Sequence, residues 1–284
     1  MHQRRQRAAF DLPQLDPRGK AIMPARLGQH FLSDGAAADD IVALADIAAA
    51  APVLEIGPGK GVLTQRLLKK SGDVTAVELD ESLAERLKEK FRDSPHLRLI
   101  RADFLKLDLG ELRRSAPFTI IGNLPYAVAS PILRKILDWK GWDVAVLMFQ
   151  KEVAERIVAG PGSRKYGVLS ILAAIKSEAQ AALPVPSRFF SPPPQVDSLV
   201  VKFRRRSVPG LPAEVTEEKF LKVVFAAFGQ RRKTILNALA HNLGVGKAAA
   251  QAALLKSGIP AGCRAETVSL EGYIALTRCF ETYL

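Results

Sequence analysis

A buried-looking run, Phe118–Ile121, stops at Gly122 and gives way to Asn123-Leu124-Pro125-Tyr126. A plain turn would be satisfied by a glycine and a polar residue. This one places a neutral amide, a proline and an aromatic ring in a row where a strand ends. Residues 53–61 read VLEIGPGKG, with glycines between an apolar strand and the start of a helix. Glycines there let the backbone approach a ligand, and the helix N-terminus adds favourable dipoles. The spacing is Gly57-x-Gly59-x-Gly61. Val62 stands where a dinucleotide loop would carry its third glycine, and no Gly-Lys-Ser/Thr follows, so neither that loop nor a Walker loop is present. Glu78 ends the next apolar run, roughly 20 residues beyond Gly57, a distance suited to accepting hydrogen bonds from ribose hydroxyls. Asp103, in RADF, ends the third strand and can accept from the exocyclic amine of an adenine. Each feature alone also has a bland reading: a strand-to-helix turn, a solvated loop charge, or a cis-proline turn with Tyr126 packed in the core. Carboxylates at successive strand ends beside a glycine loop make coincidence a poor explanation.

The elements that would position these residues alternate. Val53–Ile56, Val74–Leu79, Leu97–Ala102, Phe118–Ile121 and Val144–Phe149 read as strands. Asp34–Ala50, Gly61–Lys70, Glu81–Arg92 and Pro131–Asp138 read as helices between or before them. Short apolar strands alternating with amphipathic helices predict an α/β fold: a mostly parallel sheet covered on both faces. Ser177–Val185 and Val196–Arg204 read as two extended segments, suited to an antiparallel hairpin at the sheet edge, with PVPSRFFSPPPQ between them. Beyond Pro209-Gly210-Leu211-Pro212 the segments Glu217–Phe228, Arg231–His241, Lys247–Lys256 and Ser269–Tyr283 all read as helices. The expected organisation is a flexible basic arm at 1–25, an α/β domain at 26–207 and a small all-α domain at 208–284.

Bulk composition narrows the function. The net charge of +12 is unevenly placed: +4 over residues 1–30, +1 over 31–199 and +7 over 200–284. A nearly neutral body with two basic ends favours a polyanionic partner, nucleic acid before membrane. The apolar stretch Ile41–Ile56 contains Asp46, Pro52 and Glu55, so it does not read as a span, and the N-terminus lacks the apolar segment of a secretory signal. Two cysteines without CxxC spacing and four scattered histidines predict a reducing compartment and no metal site.

The motifs occur in a recognisable order: GQHFL at 28–32, LEIGPGKG at 54–61, VELD at 77–80, RADF at 101–104, NLPY at 123–126, FSPPPQVDS at 190–198 and FGQRRKTILNAL at 228–239. The glycine loop with Glu78 and Asp103 resembles the S-adenosylmethionine site of class I methyltransferases. The whole set resembles the bacterial small-subunit ribosomal RNA adenine dimethyltransferase family, from about Arg26 to the C-terminus. The resemblance implies a Rossmann-like methyltransferase sheet with a helical C-terminal domain for RNA recognition. It implies S-adenosylmethionine as cofactor, no metal, a cytoplasmic monomer, and as partner the 16S ribosomal RNA of the small subunit. The implied reaction is twofold methylation of the N6 amines of two adjacent adenosines in the RNA's 3′-terminal hairpin. By the same resemblance His30, Leu32, Gly57, Gly59, Glu78, Asp103 and Asn123 hold the cofactor, and Asn123, Leu124, Pro125, Tyr126 and Phe190 handle the base. The chain departs from the family at His30 and Gly229, where asparagine is usual, and at Gln195, where lysine is usual.

The NLPY stretch then acquires a chemical logic. The amino nitrogen of adenine is a poor nucleophile because its lone pair is delocalised into the ring. The Asn123 side-chain oxygen and the Leu124 carbonyl, aimed at its two hydrogens, favour a pyramidal nitrogen with the lone pair freed. Pro125 disfavours the helical region for Leu124 and so steadies that carbonyl, and Tyr126 offers a stacking face. Phe190 is the expected second wall, stiffened by the prolines at 192–194. A base in a duplex must be flipped out, or be presented unpaired, to reach such a pocket. Arg204, Arg205 and Arg206, with Arg231, Arg232 and Lys233 at the start of a predicted helix, are expected phosphate contacts; cations there oppose the helix dipole, and a solvated face is the bland alternative. Rival readings are a macrolide-resistance type adenine N6-methyltransferase acting on 23S ribosomal RNA, a non-catalytic RNA-binding assembly factor, and a nicotinamide dehydrogenase, which Val62 disfavours.

Overall fold

The computed structural model describes residues 29–48, 50–112, 115–207, 210–230 and 232–280. The expected N-terminal arm and Arg231 lie outside them. The described residues fall into two compact units, one formed by 29–158 with 172–207, the other by 159–171 with 210–280.

The first unit opens with β1 (Phe31–Leu32) and α1 (Gly35–Leu44), then β2 (Val53–Ile56), α2 (Thr64–Leu67), β3 (Val74–Glu78), α3 (Glu81–Lys90) and β4 (Leu97–Arg101). It continues through β5 (Phe118–Asn123), α4 (Ala129–Asp138), β6 (Trp142–Gln150) and α5 (Lys151–Ile157). The helix α6 (Val168–Lys176) leads to β7 (Ser177–Val185), β8 (Phe190–Ser191) and β9 (Ser198–Arg205). The main sheet has seven strands in the order β4-β3-β2-β5-β6-β9-β7. From β4 to β6 all pairings are parallel, and β9 pairs antiparallel with both β6 and β7. This is the expected mostly parallel sheet with an antiparallel edge hairpin.

The central strands are covered on both faces, and every residue of β2 and of β3 is buried, the polar Glu55, Thr75 and Glu78 among them. Helix α3 shows how the covering helices are specified. Asp80 caps it by accepting from the Leu83 N–H at 2.9 Å, Glu81 lies in its first turn and Lys88 and Lys90 in its last, complementing the dipole. Its buried face is Leu83, Ala84 and Leu87. Helix α1 is capped the same way, Asp34 accepting from the Ala37 N–H at 2.8 Å. It ends six residues before the expected Ala50, at Leu44, and Asp46 then turns the chain with φ of 49°.

Strand β5 is longer than expected. It passes through Gly122 and ends at Asn123, which pairs with Met148 of β6. A Cβ on Gly122 would lie 2.9 Å from the Ile56 carbonyl oxygen, so glycine lets the ends of β2 and β5 meet. The short pair β1–β8 had no counterpart in the expected elements: Leu32 lies opposite Phe190, and the Ser33 N–H donates to the Phe189 carbonyl at 2.8 Å.

The second unit holds α7 (Glu217–Phe228), α8 (Ile235–Leu243), α9 (Lys247–Lys256) and α10 (Leu270–Cys279). Thr216 caps α7. Helix α8 begins four residues later than expected, so Arg232 and Lys233 lie in the turn before it. Residues 159–171, expected to belong to the α/β domain, join this unit. Tyr166 packs edge-on against Phe228, whose ring lies 5.9 Å from that of Tyr273, and the Gly162 N–H donates to the Glu266 carbonyl at 2.8 Å. No helix among the described residues is long and apolar enough to cross a membrane.

Candidate active site

In the sheet order the chain runs from β2 outward to β4 on one side and from β5 outward on the other. The strand order therefore reverses between β2 and β5, the place where open parallel sheets hold ligands at their C-terminal ends. The glycine loop follows β2 there and NLPY follows β5. A Cβ on Gly57 would lie 3.5 Å from the Asn123 main-chain oxygen, so the two stretches are immediate neighbours.

Gly57, Gly59 and Gly61 have φ of 68°, 57° and 75°, a left-handed conformation natural to glycine. Gly59 has a second reason: a Cβ would stand 2.8 Å from the Phe31 ring. That ring covers the loop and carries the Lys60 ammonium 4.9 Å from its centroid. Phe31, between the expected cofactor residues His30 and Leu32, is thus part of the cradle.

Glu78 was expected to face a ribose. It is 5% exposed. Its Oε2 accepts the Gly59 N–H at 3.1 Å, and its Oε1 accepts the N–H groups of Leu79 and Asp80 at 2.9 and 3.0 Å. A carboxylate has about four acceptor sites, so Glu78 shapes the glycine loop and keeps capacity on Oε2 for a ligand hydroxyl. Leu79, beside it, is 50% exposed. Asp103 closes an Asx turn, its Oδ1 accepting the Leu105 N–H at 2.9 Å, with the Lys106 ammonium 3.8 Å from Oδ2. The segment after Asp103 is pinned by Lys135 of α4, whose Nζ donates to the Leu105 and Leu107 carbonyls at 2.8 and 2.5 Å. Desolvation lowers the pKa of Lys135, opposed by Asp103 and Asp108.

Glu55 escaped the sequence reading. It lies in β2 just before the loop, 1% exposed. Thr64 donates to its Oε2 at 2.7 Å, while Oε1 is buried with no hydrogen-bond partner among the described residues. Burial pushes this carboxyl up to about 7; the Thr64 bond opposes the shift and the charge of Glu78 adds to it. The available signal was an acid inside an otherwise apolar, fully buried strand.

On the base side, Asn123 Nδ2 donates to the His30 main-chain oxygen at 3.1 Å. A carbonyl oxygen only accepts, so this contact fixes which end of the amide is nitrogen. The Asn123 Oδ1 and the Leu124 carbonyl take part in no hydrogen bond with the described residues. The Leu124 side chain is buried and anchors the loop, and Pro125 sits at φ −59° and ψ 124°. The cis peptide is at Ser191–Pro192 rather than at Pro125. Tyr126 is held by a 2.8 Å hydrogen bond between its hydroxyl and Ser198 Oγ; desolvation raises its pKa, with the Ser198 bond opposing. The His30 ring stacks on Tyr126 with centroids 5.9 Å apart, and His30 Nδ1 lies 2.7 Å from the Pro192 carbonyl.

Two expected contacts take other places in this structure. Phe190 is 2% exposed. The β1–β8 register sets it opposite Leu32, and both side chains belong to the hydrophobic core on one face of the sheet. Its ring is therefore core packing rather than an open stacking wall. The Leu32 side chain is buried in the same cluster. Phe189 is only partly buried, with the Arg188 guanidinium 5.0 Å from its ring centre.

The basic runs also differ from a continuous patch. Arg204 and Arg205 sit on β9, where successive side chains point to opposite faces. Arg206 is engaged within its own unit, its Nε donating to the Ala174 carbonyl at 2.9 Å and its guanidinium 3.5 Å from Glu178. Arg232, Lys233 and Gln195 are exposed. Among the described residues no three His, Cys, Asp or Glu side chains are grouped to hold a metal ion.

This geometry has clear relatives. Residues 23–281 match the family model described as ribosomal RNA adenine dimethylase. A ribosomal RNA small subunit methyltransferase A of Desulfitobacterium hafniense is 41% identical over 92% of this chain and 93% of its own. Among solved structures, a dimethyladenosine transferase from Plasmodium falciparum superposes with a TM-score of 0.76 at 25% identity, covering 89% of this chain and 98% of that one. The 23S rRNA methyltransferase ErmE superposes with a TM-score of 0.69 at 29% identity, over 88% of this chain and 99% of its own. With a glycine cradle and a strand-end amide meeting at the switch point of a class I methyltransferase sheet, the chain belongs to the ribosomal RNA adenine dimethylase family.

Proposed function

We propose that this protein transfers methyl groups from S-adenosylmethionine to the N6 amines of two adjacent adenosines in the 3′-terminal hairpin of 16S ribosomal RNA, in the small ribosomal subunit, in the cytoplasm. The observation that carries this reading is the Asn123 amide, whose Nδ2 donates to the His30 carbonyl and whose Oδ1 makes no hydrogen bond with the described residues.

The cradle suits the cofactor. Three left-handed glycines shape a tight loop at the end of β2, Glu78 Oε2 has acceptor capacity for a ribose hydroxyl, Asp103 Oδ2 for an adenine amine, and the half-exposed Leu79 offers an apolar face. When bound, S-adenosylmethionine supplies an electrophilic methyl group on a sulfonium.

The protein's own part is positioning. Asn123 Oδ1 and the Leu124 carbonyl accept from the two N6 hydrogens and favour a pyramidal amine whose lone pair is directed outward. Tyr126, fixed through Ser198, stacks on the purine. The amine becomes strongly acidic once it has been alkylated, so its proton leaves without a strong base. Holding the reacting groups in line and excluding water supplies the acceleration. Arg232 and Lys233, exposed before α8, are available to RNA phosphates.

Similarity supports the small subunit over the large: 41% identity to the small-subunit enzyme against 29% to ErmE, at comparable coverage. The test is incubation with labelled methyl donor and under-methylated small subunits, then mapping of modified nucleosides. Dimethyladenosine at two adjacent positions near the 3′ end of the small-subunit RNA is expected. Label confined to 23S RNA, offered in parallel, would transfer the assignment to the resistance type; label in neither RNA would leave an RNA-binding assembly factor.

A further inference from the structure

We propose that the turn at 163–166 in the helical unit holds Arg164 and Lys165 against phosphates of the RNA substrate. The assignment rests on the RNA-methylating reading above, and it concerns a segment to which that reading gives no part. Residues 159–171 stand in sequence between two stretches of the sheet unit, yet they pack with 210–280. The Tyr166 N–H donates to the Ser163 carbonyl at 3.0 Å, so Arg164 and Lys165 are the two corner residues of a closed turn. Ser163 Oγ accepts the Lys165 N–H at 3.2 Å and braces the same corner. Just before it, Gly162 takes φ of 86°, and its N–H donates to the Glu266 carbonyl at 2.8 Å. Just after it, the Tyr166 ring is buried edge-on to Phe228. The turn is thus anchored on both sides, while Arg164 and Lys165 themselves are exposed.

Two further turns of the same unit meet there. Phe228, packed against Tyr166, ends α7 and leads into a turn closed by the Lys233 N–H on the Gln230 carbonyl at 2.9 Å, where Arg232 and Lys233 are exposed. The Ile235 N–H donates to the Cys263 carbonyl at 2.8 Å, which ties that turn to the segment beginning at Cys263. Tyr273, whose ring lies against Phe228, fastens the same segment by donating to the Ala265 carbonyl at 2.8 Å. Among the described residues of 159–171, 229–234 and 260–271 there are five cations, Arg164, Lys165, Arg232, Lys233 and Arg264, against two acids, Glu266 and Glu271. Of the two acids, Glu266 has its side chain only 19% exposed and lies 4.0 Å from the Arg264 guanidinium. Gathering like charges costs stability through repulsion, and a polyanion removes that cost. Cations carried at the corners of closed turns also meet such a partner with less ordering still to be done. RNA is the polyanion that the reaction itself brings to the protein.

The test compares the full chain with Arg164→Gln/Lys165→Gln, with the charge-keeping Arg164→Lys/Lys165→Arg, and with Lys88→Gln/Arg98→Gln, which removes two exposed cations from the sheet unit. Binding to under-methylated small subunits and to protein-free 16S RNA is measured from about 50 to about 200 mM salt, a span over which phosphate contacts register strongly. Each phosphate contact contributes about 0.7–0.9 to the slope of log affinity against log salt. The glutamine pair at 164 and 165 is expected to flatten that slope by about 1.5 and to weaken binding about tenfold at about 0.1 M salt, on both substrates. The charge-keeping pair should bind as the parent does, which separates lost charge from a damaged turn. An unaltered slope, or an equal loss in Lys88→Gln/Arg98→Gln, would overturn the proposal. A loss seen with subunits but not with protein-free RNA would overturn it in favour of an acidic protein partner. A parent that binds both substrates yet methylates no adenosine would overturn the underlying reaction instead, and the slopes would still decide the role of the turn.

Discussion

The side-chain amide of Asn123 donates to the main-chain carbonyl of His30 at 3.1 Å, across 93 positions of sequence. The bond does two things at once. It ties the N-terminal strand to the end of β5, and it spends the amide's donor end on the protein. It thereby fixes Oδ1 as the acceptor end of the amide, the polarity that an adenine amine requires. A strand-end asparagine without that partner would be free to present either end.

Glu55 makes stability depend on pH in a direction opposite to the usual carboxylate. Burial lifts its carboxyl from the ordinary 4.5 to about 7, so the folded state favours the protonated acid. No penalty exists below about 4.5; it grows between the two values and is complete above about 7, reaching roughly 3 kcal/mol at about 1.36 kcal/mol per pH unit. Urea unfolding at pH 5 and pH 8.5 should show a loss of stability with rising pH that shrinks in Glu55→Gln. The same slope in both proteins would mean that Glu55 is not the group responsible.

Lys135 is expected to support cofactor binding from outside the site. It fastens the carbonyls of Leu105 and Leu107, and Asp103 anchors the same turn through Leu105. Hydrogen bonds to a charged group contribute roughly 1.5–3 kcal/mol. Lys135→Met should therefore weaken S-adenosylhomocysteine binding about tenfold, measured by calorimetry, with RNA affinity unchanged. Unaltered cofactor affinity would confine the lysine to local stability.

Much of this was legible in the chain itself, for a local reason. The buried runs of β2, β3 and β5, the caps Asp34 and Asp80, and the left-handed glycines all act within a few residues of themselves. What escaped notice depends on pairing between distant segments. The two-residue strands β1 and β8 are too short to show a period, and their register decides that Phe190 enters the core while Phe189 stays at its margin. Tyr166 draws 159–171 into the helical unit through Phe228, a contact that no local pattern encodes. The partners of Tyr126, Ser198 and His30, lie 72 and 96 positions away. The run Arg204-Arg205-Arg206 reads as one patch in sequence, but the strand pleat and the Ala174 carbonyl divide it.

Gly229, where the family usually has asparagine, makes room for a neighbour. A Cβ there would stand 2.7 Å from Asn242 Nδ2, and that nitrogen donates to the Ala226 carbonyl at the end of α7 at 2.8 Å. Its φ of −63° puts no strain on alanine. Gly229→Ala should cost about 1–2 kcal/mol by displacing that bond. Asn242→Ala should cost a similar amount, and the double variant little more than either. Urea denaturation of the four proteins measures the coupling. Strictly additive losses would show that the two positions do not share the bond.

The central claim is that Asn123 grips the base, and single-turnover methylation by Asn123→Ala tests it most directly. Parent and variant are compared on under-methylated small subunits at saturating S-adenosylmethionine, with affinities for S-adenosylhomocysteine and for the subunit measured alongside. Removing one oriented hydrogen-bonding group from a reacting centre costs on the order of 10²–10³ in rate. The expected result is a methylation rate lower by that factor even at saturating donor, with affinity for the subunit within about twofold of the parent. A parent-like rate, or a loss that disappears once donor concentration is raised, would contradict the base-gripping role of Asn123.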